Sequence, residues 1–223
     1  MIRSTLSICL AASLLFACNN GDDATKATKT DTDTLTETKM DKEQPPPPPP
    51  AVDTATARKN WEAYMAPGKE HQMMAKWNGT WTGEMTMWMS PDPNVPPTKS
   101  VGSAKNRMAL GGRYQISEHK SNMMGMPFEG MSILAYDNHK KIFISSWIDN
   151  MGTGIMKLEG PWDEATKTIT LRGKMVDPSS TAEMQIREVF TIIDDNTQKM
   201  EFYAVGPDGK EFKSMEGILK RKN

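Results

Sequence analysis

Cysteine is nearly absent: the 223-residue chain has two, Cys9 and Cys18. Two cysteines so close to the start cannot build a disulfide framework, and no later thiol is available as a nucleophile. A charge excess of either sign is also missing. The 27 basic and 28 acidic residues leave a net charge of −1, without the basic stripe that a nucleic-acid binder would show. Histidine is scarce. His71, His119 and His139 are the only three, and their spacing makes no metal motif. Nor is the apolar run from Leu6 to Phe16 long enough to span a bilayer as a helix. These absences direct attention to the N-terminus, the methionines and the pattern of strands.

Arg3 followed by an apolar stretch from Leu6 to Phe16 reads as a secretory signal. The stretch ends in Leu15-Phe16-Ala17-Cys18, which resembles the lipobox of bacterial lipoproteins. The resemblance implies cleavage before Cys18 and lipidation of that residue. It also implies outer-membrane sorting, because Asn19 stands where an inner-membrane retention signal would carry aspartate. The chain is therefore expected at the cell envelope of a Gram-negative bacterium, held to the membrane by an N-terminal lipid. Residues 1–17 are the expected signal peptide.

Residues 18–57 are expected to form a tether rich in Thr, Asp and Pro. They hold too little apolar surface to offset the entropy of ordering. Within them, Pro45–Pro50 favours a polyproline II rod, about 19 Å long at about 3.1 Å per residue. Asp33-Thr34-Leu35 and Asp53-Thr54-Ala55 resemble an O-glycosylation sequon of one group of Gram-negative bacteria, making Thr34 and Thr54 candidate modification sites.

Residues 58–223 are expected to be the folded domain. Helix-compatible sequence around Trp61 and Met65 is broken by Pro67-Gly68, and a second short helix ends before Asn78-Gly79. The pattern then turns to period two. Trp81, Gly83, Met85, Met87 and Met89 share one face of a strand. Turn clusters recur at short intervals to the end of the chain, with about ten strands between them, which argues for an antiparallel barrel or sandwich. A closed up-and-down barrel leaves no exposed edge.

Three apolar stripes each carry one polar intruder. Phe143, Ser145, Trp147, Asp149 and Met151 form the first. Ala182, Met184, Ile186, Glu188, Phe190 and Ile192 form the second. Met215, Gly217, Leu219 and Arg221 form the third. In a barrel with a cavity these faces point inward. The candidate ligand-binding set is thus Trp81, Met85, Met87, Phe143, Trp147, Asp149 and Glu188.

Gly79-Thr80-Trp81, on the first strand after a short helix, resembles the Gly-x-Trp of lipocalins and other calycin barrels. The resemblance implies that a basic residue of the last strand, Arg221 or Lys220, covers Trp81 and closes the floor. A longer resemblance covers most of residues 70–220. "HQMMAKWNGTWTGEMTMWM", "LGGRY", "MMGMPFEGM" and "LAYDNHKKIFISSWIDNMGTG" are similar to the bacterial domain-of-unknown-function family 1579. That family implies a calycin-like barrel and no established activity.

Met123, Met124, Met126 and Met131 crowd one stretch. Thioethers suit Cu(I), but methionine also fills irregular apolar space. With no evident His or Cys co-ligand, the stretch reads as a turn flanked by methionines at the barrel mouth, and no metal is expected. Nitrobindin-type barrels, also similar, ligate haem through a late histidine; no histidine follows His139 here, so no cofactor is expected. The expected function is non-catalytic binding of a small apolar or amphipathic ligand. Two alternatives stand beside it: a hydrolase or isomerase using Asp149 and Glu188 as acid and base, and a ligand-free envelope scaffold.

Overall fold

The computed structural model describes residues 47–178, 180–206 and 208–222. Cys18, Thr34 and most of the expected tether lie outside the described residues. The chain divides at Pro49 and Pro50, and every described element belongs to the unit that begins at Pro50.

Two helices come first, α1 (Thr54–Met65) and α2 (Lys69–Lys76). Asp53 caps α1 by accepting hydrogen bonds from the N–H groups of Ala55 and Thr56. The helix thus begins inside the segment read as tether, and Thr54 stands on its first turn. No residue of α1 is buried, and Trp61 and Tyr64 are exposed. The Asn138 side chain donates to the carbonyls of Ala63, Tyr64 and Ala66, tying the end of α1 to the turn after the fourth strand. The break at Gly68 is fixed by its N–H donating to Nδ1 of His71.

Eleven antiparallel strands follow. They are β1 (Gly79–Met87), β2 (Thr98–Ala109), β3 (Tyr114–Met123), β4 (Met126–Asp137), β5 (Ile142–Asp149) and β6 (Met156–Gly160), then β7 (Trp162–Asp163), β8 (Thr168–Val176), β9 (Glu183–Asp194), β10 (Thr197–Val205) and β11 (Glu211–Arg221). Neighbours in sequence pair with one another, except that β6 pairs with β8 while the two-residue β7 pairs at its side. Pairing of β1 with β11 and of β6 with β8 closes a ring of ten strands. The all-β up-and-down barrel expected from the turn spacing is the architecture found.

The strand ends differ slightly from expectation. β1 stops at Met87, so Met89 leaves the shared face and is 70% exposed. Met151 lies in the turn after β5 and Ala182 precedes β9; neither belongs to an inner stripe.

Alternation and register fix which residues face inward. Trp81 stands opposite Ala104 and Arg221; Met85 stands opposite Ser100 and Gly217. Following the pairs round the ring places Gln115, Ser117 and His119 inward on β3, and Leu134, Ser145, Trp147, Glu188 and Phe202 inward on their own strands. On β3 the usual polarity is inverted, and β4 and β5 carry apolar residues on both faces. Tyr114, Met131, Ile133 and Ile148 point outward and are exposed, while the inner face of β3 carries polar groups.

α2 plugs one end. Met74 and Trp77 bury themselves against Trp81, Phe143 and Ile169. The indole N–H of Trp81 donates to the Trp77 carbonyl at 2.9 Å, and the Gln115 side chain donates to the Met74 carbonyl at 2.6 Å. Arg221 completes this floor. Its guanidinium lies 4.4 Å from the centre of the Trp81 ring and donates to the carbonyls of Asn78, Lys76 and Asp195. The opposite end is the mouth, where the longer connections 88–97 and 150–155 lie. There the chain between β3 and β4 turns through Met124 and Gly125, with φ of 51° and 85°. Positive φ at both central positions is the two-residue turn that matches strand twist, and it requires a residue without a side chain at least at Gly125. The four crowded methionines are distributed by this hairpin: Met123 and Met126 pair at the rim, Met124 is at the tip and Met131 is on the outer surface.

Candidate functional site

The interior is packed at the floor and less completely filled above it. At the floor, Trp81 and Phe143 are 0% exposed and Ile169 is 1% exposed. Higher in the lumen, inward-facing Met85, Leu134, Trp147, Met200, Phe202 and Glu188 each keep part of their surface accessible to a water-sized sphere. A ten-stranded ring is wider than the eight-stranded barrel that side chains can just fill. The gap above the floor follows from that width.

Glu188 is the most unusual group in this space. Its strand neighbours across the sheet are Leu171 and Phe202, both apolar. It lies deep within the protein on every side yet retains accessible surface, because the space it meets is inside the barrel. No hydrogen bond or ion pair to its carboxylate occurs among the described residues. Burial pushes its pKa up from the ordinary 4.5 to about 7.

His119 faces Glu188 from the opposite wall. β3 and β9 are separated by five steps in either direction around the ring of ten. Burial lowers the His119 pKa to about 4, so its imidazole is neutral at pH 7. Its ring meets the Trp147 indole in a T-shaped contact at 5.0 Å between centroids, and Phe128 stacks with that indole at 6.2 Å. A Cβ on Gly130 would overlap the six-membered ring of Trp147, so the glycine makes room for the indole against β4. In the same way Gly217 makes room for the thioether of Met85.

Asp149 has a different position. One carboxylate oxygen accepts from Trp147 Nε1 at 2.7 Å, and the other accepts from the N–H groups of Met151 and Gly152. These bonds aim the indole and close the turn after β5. Two further polar atoms near the floor, Asn106 Oδ1 and Gln198 Nε2, are buried without a partner among the described residues.

The seven candidate ligand-binding residues therefore fall into three groups. Trp81 and Phe143 are packed into the floor. Met85, Trp147 and Glu188 line the open lumen. Met87 and Asp149 lie toward the mouth. His119, which spacing alone did not single out, joins the lumen group. Its signal was the alternation Gln115, Ser117, His119, which reads as an outer face until closure of the ring turns it inward. Arg221 is the sole inward-facing Lys or Arg among the described residues, and it is engaged at the floor.

Two surface grooves are also present. One, of about 500 Å³, is at the mouth and is bounded by Met89, Pro91, Pro178, Met184 and Phe212. Met184 and Phe212 face inward at the rim of the barrel, and none of the lumen group lines this groove. The other, of about 450 Å³, lies outside the barrel over Thr82, Glu84, Val101 and Ile218 and has no contact with the lumen groups. Among the described residues, no group of three or more His, Cys, Asp or Glu is placed to hold a metal ion.

Comparison with solved structures places the barrel among known folds. The crystal structure of Rv2717c from M. tuberculosis is similar over 71% of this chain and 100% of that one, with a TM-score of 0.54 and 12% identity. A redesigned beta barrel matches at a TM-score of 0.35 with 14% identity, over 67% of this chain and 95% of its own. A de novo fluorescence-activating beta barrel matches at 0.37 with 11% identity, over 66% of this chain and 94% of its own. At these identities the likeness concerns fold alone. Comparison with curated proteins gives no match. Residues 66–221, from the residue before the Pro67-Gly68 break to the Arg221 that closes the floor, match a family described as "Protein of unknown function (DUF1579)", and the chain belongs to that family.

Proposed function

We propose that this protein is a lipid-anchored envelope protein whose barrel binds a small amphipathic molecule without transforming it. The observation that carries the reading is Glu188. A carboxyl group held in an apolar interior without a partner costs folding free energy, and its accessible surface faces a space that a ligand could fill. Pockets of this kind are mostly apolar, with few polar groups to orient the occupant. Met85, Met200 and Phe202 supply the apolar wall, while His119 and Glu188 supply the polar points.

The acid–base reading has less support. The oxygens of Asp149 are engaged by Trp147 and the turn, and Asp149 and Glu188 share no hydrogen bond. The scaffold reading is opposed by the incompletely filled lumen.

Native mass spectrometry of the purified protein tests the binding claim. An adduct of small-molecule mass, lost on denaturation, is the expected result. Bare protein mass together with no response to an added apolar dye would refute it. The anchor rests on the lipobox-like sequence before Cys18. Cys18→Ser should release the protein from membranes and remove the lipid mass from its N-terminal peptide; unchanged membrane partition would defeat this part.

A further inference from the structure

We infer that the lumen selects a lipophilic organic cation, an amine or ammonium carried on an apolar chain, and that Glu188 is the group that receives the charge. This deepens the binding role proposed above and rests on it.

The charge inventory of the lumen supports the sign. Glu188 stands between Leu171 and Phe202 with no hydrogen bond or ion pair among the described residues. Asp149, nearer the mouth, is a second acid, already hydrogen-bonded. The facing His119 is neutral at pH 7. Arg221, the inward-facing cation among the described residues, is held below Trp81 by carbonyl groups. An amphiphile with a carboxylate head would thus meet no free cation and an opposing acid. An ammonium would meet a carboxylate in surroundings of low polarity, where separated charges cost most and paired ones gain most.

The walls favour the same class. Trp147, Phe128 and Phe202 present aromatic rings to the lumen, and ring faces attract cations. The thioethers of Met85 and Met200 are polarizable and adapt to a chain of varied shape. A neutral alcohol would gain the apolar contacts but not the ion pair.

The proton balance follows from Glu188. Below the pKa of about 7, Glu188 carries a proton. Binding an ammonium breaks the carboxyl O–H bond, passes that proton to solvent and leaves a carboxylate paired with N⁺–H. Near pH 6 almost one proton should be released per cation bound.

Three amphiphiles of equal chain length separate the outcomes: decylamine, decanol and decanoate, titrated calorimetrically into the purified protein below their aggregation limits. The expected order is amine, then alcohol, then carboxylate, with amine and carboxylate separated by about tenfold or more, the change that about 1.4 kcal/mol gives. Repeating the amine titration at pH 6 in buffers of different ionisation enthalpy should show proton release, and decanol should show none. Glu188→Gln should weaken decylamine by about tenfold or more while leaving decanol within about threefold. Decanoate binding as tightly as decylamine, or an amine affinity unchanged in Glu188→Gln, would overturn the cation inference and leave the binding role standing. Failure of all three compounds to bind would overturn both.

Discussion

Glu188 and His119 make opposite contributions to stability, and the two should nearly cancel in the wild-type protein. The Glu188 pKa rises on folding from 4.5 to about 7. The unfolded chain therefore loses this proton first, and the stability present below pH 4.5 is lost as the pH rises to about 7. At about 1.4 kcal/mol for each tenfold change, the loss is about 3 kcal/mol. The His119 pKa falls on folding from 6.5 to about 4. Its contribution is present above pH 6.5 and is lost, by a similar amount, as the pH falls to about 4. Between these limits folded and unfolded states bind the same number of protons at the two sites, and their combined slope is close to zero. Glu188→Gln removes one side of the balance. Its stability should rise by about 1.4 kcal/mol per pH unit between pH 4.5 and 6.5, and at pH 8 it should exceed wild type by about 3 kcal/mol. His119→Gln should show the opposite slope. Urea unfolding followed by tryptophan fluorescence at several pH values measures each curve, and an unchanged denaturant slope would show that the exposed surface is the same. If Glu188→Gln and wild type run parallel from pH 4.5 to 8, then Glu188 is solvated or paired, and the site built around it is wrong.

Trp81→Ala should cost about 3–5 kcal/mol, the range for losing a buried aromatic, whereas Arg221→Ala should cost about 2 kcal/mol, since it removes one cation–π contact and donors to three carbonyls; equal melting temperatures for Trp81→Ala and wild type would contradict the floor. Gly130→Ala should destabilise by about 1–3 kcal/mol through overpacking against Trp147, and its near-ultraviolet circular dichroism should change; a neutral substitution would show that the indole is not held there. On the outer surface, burial raises the Glu201 carboxyl, but hydrogen bonds from Lys213 and Lys199 outweigh it and hold the pKa down to about 2. Its contribution is present above pH 4.5 and is lost as the pH falls toward 2; with lysine partners about one-third exposed, Glu201→Gln should cost about 1 kcal/mol at pH 7 and nothing at pH 2, and a cost equal at both would rule out the ion pairs.

Much of this architecture was legible in the sequence because a strand repeats every two residues and a closed ring needs each strand to end in a turn. The stripe from Trp81 to Met87 and the stripe through Glu188 could be read directly, and the ten strands of the ring follow from the turn clusters. The floor was legible too, since Trp81 stands near the start of the first strand and Arg221 at the end of the last. The β3 wall was not. There the inward residues are Gln115, Ser117 and His119, and the outward ones include Tyr114 and Ile116, so local polarity points the wrong way. Only register, passed from Trp81 through Ala104 to His119, shows the true orientation. Nor could the sequence divide the candidate residues by height. Trp81 and Trp147 look alike in a stripe, yet one is sealed beneath α2 and the other borders open space. Asp149 also looked equivalent to Glu188, and only its bonds to Trp147 and the following turn distinguish it.

The most direct test of the central claim is a crystal structure of the protein with a bromine-labelled amphiphile, read by anomalous scattering. The account predicts a bromine peak inside the barrel above Trp81, with the polar head against Glu188 and the chain passing Trp147. Bromine found only on the outer surface, with the lumen closed by repacked side chains, would contradict it.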